Sequence, residues 1–165
     1  MMKQFVACAL LACLLSIRQS TAQSETVNIL VPNGPIVGER YLVQNKNVNR
    51  FLGVPYAKPP VGSLRFRKPE PIGKWGTPVE ATKWPSHCYQ FHYSVLKFKH
   101  LNFSEDCLYL NIWSPEVNAN EQSLRPVLVW IHGGGLIVGS SGHDTTDMET
   151  LSVMADAIMV SFNYR

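Results

Sequence analysis

The sequence predicts an α/β fold in which antiparallel N-terminal strands lead into a mixed, mostly parallel sheet, with the fold left incomplete. Three observations carry that expectation. Short alternating segments divided by Asn-, Gly- and Pro-rich turns come first, the pattern of an antiparallel meander. Two apolar strand-like runs, Arg125–His132 and Ala157–Tyr164, then flank a helical segment, and strand–helix–strand is the unit of a parallel sheet. The series stops at Arg165 after one such unit. Of the 165 residues 45% are hydrophobic and 16% charged, which excludes a disordered chain, and the eleven Gly and eleven Pro follow no collagen-like period.

Met1–Ala22 reads as a secretory signal peptide. Lys3 supplies the positive start and Phe5–Ile17 the apolar stretch, which is too short to span a bilayer. Ser20-Thr21-Ala22 offers the small residues a signal peptidase inspects, so cleavage is expected after Ala22. No other helix-length stretch is apolar enough to span. Lys3 and Arg18 leave with the signal, so 13 basic residues face 12 acidic ones and the mature charge is +1. No basic patch remains as a footprint for nucleic acid. Cys8 and Cys13 leave too. Cys88 and Cys107 then allow one intramolecular bridge, which would close a loop worth roughly 3 kcal/mol in chain entropy. A metal site with the nearby His87 and His92 is the competing reading, though no C-x-x-C or H-E-x-x-H spacing supports it. Asn102-Phe103-Ser104, inside that loop, is an N-glycosylation acceptor.

Along the mature chain, Thr26–Val31 reads as a strand ending at the turn Pro32-Asn33-Gly34-Pro35. Ile36–Val43 and Val48–Gly53 read as the next two, joined by a hairpin loop at Asn45-Lys46-Asn47 because Asn tolerates the left-handed backbone. From Pro55 to Pro85 seven prolines exclude long helices and central strands. Phe66, Trp75 and Trp84 in that stretch call for burial, so it is expected to be an ordered coil wrapped over a core. Leu108–Trp113 is strand-like, and Glu116–Ser123 is a polar connection. Val127–Ile131 is continuously apolar, which fits a strand buried on both faces. Asp144–Ala155 reads as a helix capped by Asp147, with Met148, Leu151 and Met154–Ala155 on its buried face.

His132-Gly133-Gly134-Gly135 follows the apolar strand directly. Consecutive glycines leave backbone N–H groups unshielded by any Cβ, and such groups can stabilise an oxyanion. An H-G-G-G turn after a strand is the oxyanion-hole motif of lipases and esterases with the α/β-hydrolase fold.

Longer strings point the same way. Phe51-Leu52-Gly53-Val54-Pro55-Tyr56-Ala57-Lys58-Pro59-Pro60-Val61-Gly62 with Leu64-Arg65-Phe66 resembles the N-terminal signature of type-B carboxylesterases, the carboxylesterase and cholinesterase family. Ser104-Glu105-Asp106-Cys107-Leu108-Tyr109-Leu110-Asn111 resembles the family's second signature, and Pro126–Gly135 and Asn163-Tyr164-Arg165 are similar as well. The resemblance covers the mature chain. It implies that Gly134 and Gly135 are oxyanion-hole donors with Gly133 supporting the turn, that Cys88 and Cys107 form the family's first disulfide, and that Arg65 and Glu105 make a structural ion pair between the two signatures. It implies hydrolysis of a small-molecule carboxylic ester by a Ser, acid and His triad, which needs no metal or organic cofactor. Residues 23–165 would then be the N-terminal portion of a carboxylesterase type-B domain.

The triad itself is missing from the string. No G-x-S-x-G is present, and Gly139-Ser140-Ser141-Gly142-His143 lacks the second glycine in place, which argues against Ser141 as nucleophile. His132 belongs to the oxyanion loop, and His87, His92, His100 and His143 read as exposed or structural. The chain is therefore expected to be a fragment, inactive by itself and prone to retention, degradation or aggregation, of a secreted serine esterase. The rival class is a cholinesterase-like adhesion or ligand protein that has lost the triad. Cholinesterases carry a choline-binding tryptophan between the first two cysteines. Residues Tyr89–Asp106 hold Tyr89, Phe91, Tyr93, Phe98 and Phe103 but no Trp, which weighs toward a general, hormone-type or detoxifying esterase.

Overall fold

The structure, a computed structural model, describes residues 24–91, 102–116, 124–142 and 147–165. The expected signal segment, Cys8, Cys13, His92, His100, His143, residues 117–123 of the polar connection and the first residues of the expected helix lie outside the described residues. No helix among the described residues is long and apolar enough to cross a membrane.

Strands β1 (Glu25–Val31), β2 (Gly34–Val43) and β3 (Lys46–Pro55) form the antiparallel meander. The first turn is Pro32-Asn33, and Gly34 already pairs with Val31. A Cβ on Gly34 would stand 2.3 Å from the Trp75 carbonyl oxygen, so only glycine lets that tryptophan close over the turn. Trp75 Nε1 there donates to Pro35 O at 2.9 Å. The second turn is Gln44-Asn45, with φ of 48° and 64°. Two left-handed residues make the turn whose twist matches the flanking strands. Lys46 and Asn47, expected in the loop, instead pair with Val43 and Leu42, because this turn needs only two residues.

The coil after β3 is ordered. It contributes a 3₁₀ turn at Gly62–Leu64 and the short strand β4 (Val79–Glu80), which runs parallel to β2 at Ile36 and Val37. Trp75 packs against the core, as does Trp84, whose ring centroid lies 5.9 Å from that of Trp113. Phe66 corrects the sequence expectation. It is 89% exposed at a left-handed φ of 60°, where no described element reaches it and its ring faces the Arg65 guanidinium at 5.0 Å. Strands β5 (His87–Cys88) and β6 (Phe103–Ser104) form a small parallel pair of their own.

Strands β7 (Tyr109–Pro115), β8 (Val127–Trp130) and β9 (Ile158–Phe162) complete the main sheet, which among the described residues has seven strands, running β1-β2-β3-β7-β9-β8 with β4 beside β2. β9 is antiparallel to β7 and parallel to β8, so the antiparallel strands pass into the parallel pair that the sequence predicts. A bulge between Phe51 and Val54 breaks the β3–β7 register. Gly53 lies in it at φ 77° and donates its N–H to Asn111 Oδ1 at 3.0 Å.

Helix α1 (Met148–Ala155) packs on one face of the sheet. Its Met148 and Val153 meet Val48, Leu52, Trp113 and Met159. Phe51, Ile36, Val54 and Ala81 form a second cluster, joined by Leu110 and Ile112. Trp113 and Ile112 are adjacent in β7 and so point to opposite faces, which places the two clusters on opposite sides. The buried stripe of α1 differs from the expectation: it is Met148, Ser152 and Val153, while Leu151 and Met154 are exposed. Ser152 tolerates burial because its Oγ donates to Ala157 O at 2.8 Å.

The expected two-sided burial of β8 is also corrected. Val127, Leu128, Val129 and Trp130 are 44–55% exposed, because among the described residues β8 pairs only with β9 and lies at the sheet edge.

Candidate oxyanion site

The site is the turn where the chain leaves β8. His132 is buried there, and its ring stacks on that of Tyr164, with centroids 4.3 Å apart and planes inclined by 18°. The Tyr164 hydroxyl donates to His132 O at 2.5 Å. Tyr164 lies just beyond β9, so the parallel pair fixes the start of the turn. Gly134, Gly135 and Leu136 follow with φ of 133°, 61° and 61°. Three successive residues in the left-handed half of the map demand glycine wherever space is also short. Gly134 meets both conditions, since a Cβ there would lie 1.6 Å from Val138 O. Its carbonyl accepts from the N–H groups of Ile137 and Val138, both at 3.1 Å, which closes the turn on itself. Gly133, Gly134 and Gly135 are exposed, and among the described residues none of their N–H groups meets a backbone acceptor.

The chain leaves the turn through Gly139, at φ 127°, where a Cβ would come within 2.3 Å of both Gly133 O and His132 Nδ1. Gln90 holds Gly139 from the other side. Its Oε1 accepts from Gly139 N at 2.7 Å and its Nε2 donates to Gly139 O at 2.8 Å. A cavity of about 210 Å³ lies here, bordered by Gln90, His132, Leu136, Gly139, Tyr164 and Arg165 among others.

Ser140 and Ser141 are buried in a polar network. Ser141 Oγ accepts from Asn111 Nδ2 at 3.1 Å, and Ser141 N donates to Asn163 Oδ1 at 2.9 Å. Ser140 Oγ meets both His87 Nδ1 and Asn163 Oδ1. Ser141 therefore anchors the loop in the core, 8% exposed, and His87 is a structural residue at 1%. Sequence reading did not find Gln90, Asn111 or Asn163 as supports of the turn. Each lies far along the chain from its partners, and only the short spacing of Gln90 from Cys88 hinted at a link to the disulfide.

Cys88 and Cys107 are joined in a disulfide with Cα atoms 5.0 Å apart. Arg65 Nε pairs with Glu105 Oε1, with the two side chains 57% and 34% exposed, so solvent screens the attraction and the pair adds little stability. Asn102 is exposed, and its Nδ2 donates to Ser86 Oγ at 2.9 Å. Burial pushes the Tyr109 phenol up to about 12, helped by a hydrogen bond from the phenol to Asp106 and by that carboxylate's charge. Among the described residues no group of His, Cys, Asp and Glu could hold a metal ion.

The strand order with its glycine turn defines a partial α/β-hydrolase domain. The chain belongs to the carboxylesterase family, whose sequence model matches residues 23–165. It is 41% identical over 141 residues to acetylcholinesterase 1 of Caenorhabditis briggsae, covering 79% of this chain and 22% of that protein. It is 40% identical over 145 residues to the cholinesterase of Mus musculus, covering 83% and 24%. It is 40% identical over 145 residues to liver carboxylesterase 1 of Mus musculus, covering 81% and 25%. The chain thus spans about a quarter of the length of these curated relatives, and identity alone does not separate cholinesterases from carboxylesterases.

Proposed function

We propose that this chain is the oxyanion-stabilising N-terminal portion of a secreted serine carboxylic-ester hydrolase. The observation that carries the reading is the left-handed run Gly134-Gly135-Leu136 just after β8, with exposed glycines whose N–H groups meet no backbone acceptor among the described residues. In this reading a serine beyond the present residues attacks the ester carbonyl. The developing oxyanion accepts hydrogen bonds from Gly134 and Gly135, with Gly133 supporting the turn; the ester C–O bond then breaks, the protonated alcohol leaves an acyl-serine, and water hydrolyses that to the acid and free serine. The substrate is a small carboxylic ester. Secretion rests on the Met1–Ala22 signal, with cleavage after Ala22, and on a disulfide suited to an oxidising compartment. Asn102, exposed beside that disulfide, is the expected glycosylation site.

The test begins with the transcript beyond the Arg165 codon. A frame that continues into G-x-S-x-G with a later acid and histidine supports the hydrolase. In the full-length protein, Gly134→Ala would put a Cβ 1.6 Å from Val138 O and so displace the whole turn, and kcat should then fall by about 10²-fold or more. Purified residues 23–165 should give no p-nitrophenyl acetate turnover above background. An acyl-enzyme burst from that segment would overturn the assignment of the nucleophile to later residues. A continuing frame without the serine would instead indicate a non-catalytic adhesion or ligand protein.

A further inference from the structure

We propose that Gln90 is a positioning residue for the oxyanion turn, acting through Gly139 and tying the turn to the disulfide segment; this rests on the ester-hydrolase reading above. The geometry starts at Gly139. The 2.3 Å approach of a Cβ there to Gly133 O and His132 Nδ1 means that its backbone lies directly beneath the first glycine of the turn. Any displacement of Gly139 is passed by contact to Gly133 O and to the His132 ring, whose Nδ1 is itself 2.9 Å from Gly133 O.

Both backbone groups of Gly139 are held by one side chain. Gln90 Oε1 accepts from Gly139 N, and Gln90 Nε2 donates to Gly139 O. The same Nε2 donates to Cys88 O at 3.1 Å. This pattern fixes the amide orientation, because a flipped amide would set donor against N–H and oxygen against two carbonyl oxygens. Upstream, Tyr164 pins His132, and downstream, Asn163 pins Ser141. Between these anchors, the Gln90 amide is the side chain that grips the exit of the turn, and it comes from a segment locked by Cys88–Cys107.

Oxyanion donors act only where the charge develops, so a small displacement weakens the transition state and leaves substrate binding nearly untouched. A misplacement of about 1 Å costs up to 10²-fold in rate. In the full-length protein Gln90→Met, close in length but without hydrogen bonds, should lower kcat by about 10–100-fold with KM within twofold. The affinity for a trifluoromethyl ketone analogue of the substrate should fall by the same factor. Wild-type kcat in folded Gln90→Met, or a loss carried by KM alone, would overturn the proposal. Where Gln90→Met fails to fold, Gln90→Glu carries the test, since it keeps the shape and lacks the donor for Gly139 O. Its kcat should fall with KM held, and unchanged kcat would overturn the proposal. Hydrogen exchange separates this inference from the enzymatic one. If the wild-type protein hydrolyses no ester, the hydrolase reading fails. Faster exchange of residues 133–139 in the Gln90 variant still shows the clamp, and unchanged exchange refutes it.

Discussion

Asn111 is wholly buried and divides its amide among three partners. It accepts from Gly53 N–H and donates to Ser141 Oγ and to Ser161 Oγ, so one side chain joins the β3 bulge, the loop behind the turn and β9. The residue stands at the end of a family signature, yet its role is invisible in the string because its partners come from three separate stretches of chain. The glycines of the turn were legible for the opposite reason: the requirement for backbone freedom is local, and His132-Gly133-Gly134-Gly135 displays it in consecutive letters. The tyrosines give a test at this scale. Tyr109 is pushed up to about 12 by burial first and Asp106 second, and Tyr41 is raised further, by burial first and by the nearby Glu149 carboxylate. An unfolded phenol ionises near pH 10. Above that pH the unfolded state loses the proton and the folded state keeps it, so this contribution is intact below about pH 10 and lost as pH rises through about 12. Urea unfolding of the full-length protein should show Tyr109→Phe losing less stability than wild type over that interval.

Among the elements, α1 shows both the reach and the limit of sequence patterning. Asp147 was readable as a cap, and its carboxylate accepts from Thr150 N at 3.0 Å. Asp147→Ala should cost about 1 kcal/mol, seen as a lower urea midpoint at unchanged m value. The buried face was not readable. In a helix of eight residues, Met148 can share a stripe with Leu151 and Met154 or with Ser152 and Val153. Apolar count favours the first, while the position of the sheet selects the second and supplies Ala157 O as the partner for Ser152. The hairpin from β2 to β3 teaches the same lesson on a smaller scale. Asn45 marked the turn, but pairing across the strands decided that Lys46 and Asn47 lie outside it.

For the whole molecule, strand order matters more than strand identity. The sequence identified β8 and β9 as a parallel pair, and their apolar character suggested burial on both faces. Only the topology shows that β9 enters between β7 and β8 and leaves β8 outermost among the described residues, with Val129 55% and Ile131 63% exposed. An apolar edge is a template for further pairing. Purified residues 23–165 should therefore elute as multimers in light-scattering chromatography, and Val129→Lys should shift the population toward single chains. A sharp monomer peak for the unsubstituted segment would contradict this.

That strand order also sets a timetable. β8 emerges from the ribosome before the strand that will hold it, because β9 lies on the far side of α1 in the chain and between β7 and β8 in the sheet. At about 5–20 residues per second, the wait between them is roughly a few seconds. During that time Val127–Trp130 lacks the strand it pairs with, and its apolar side chains are open to whatever meets the growing chain.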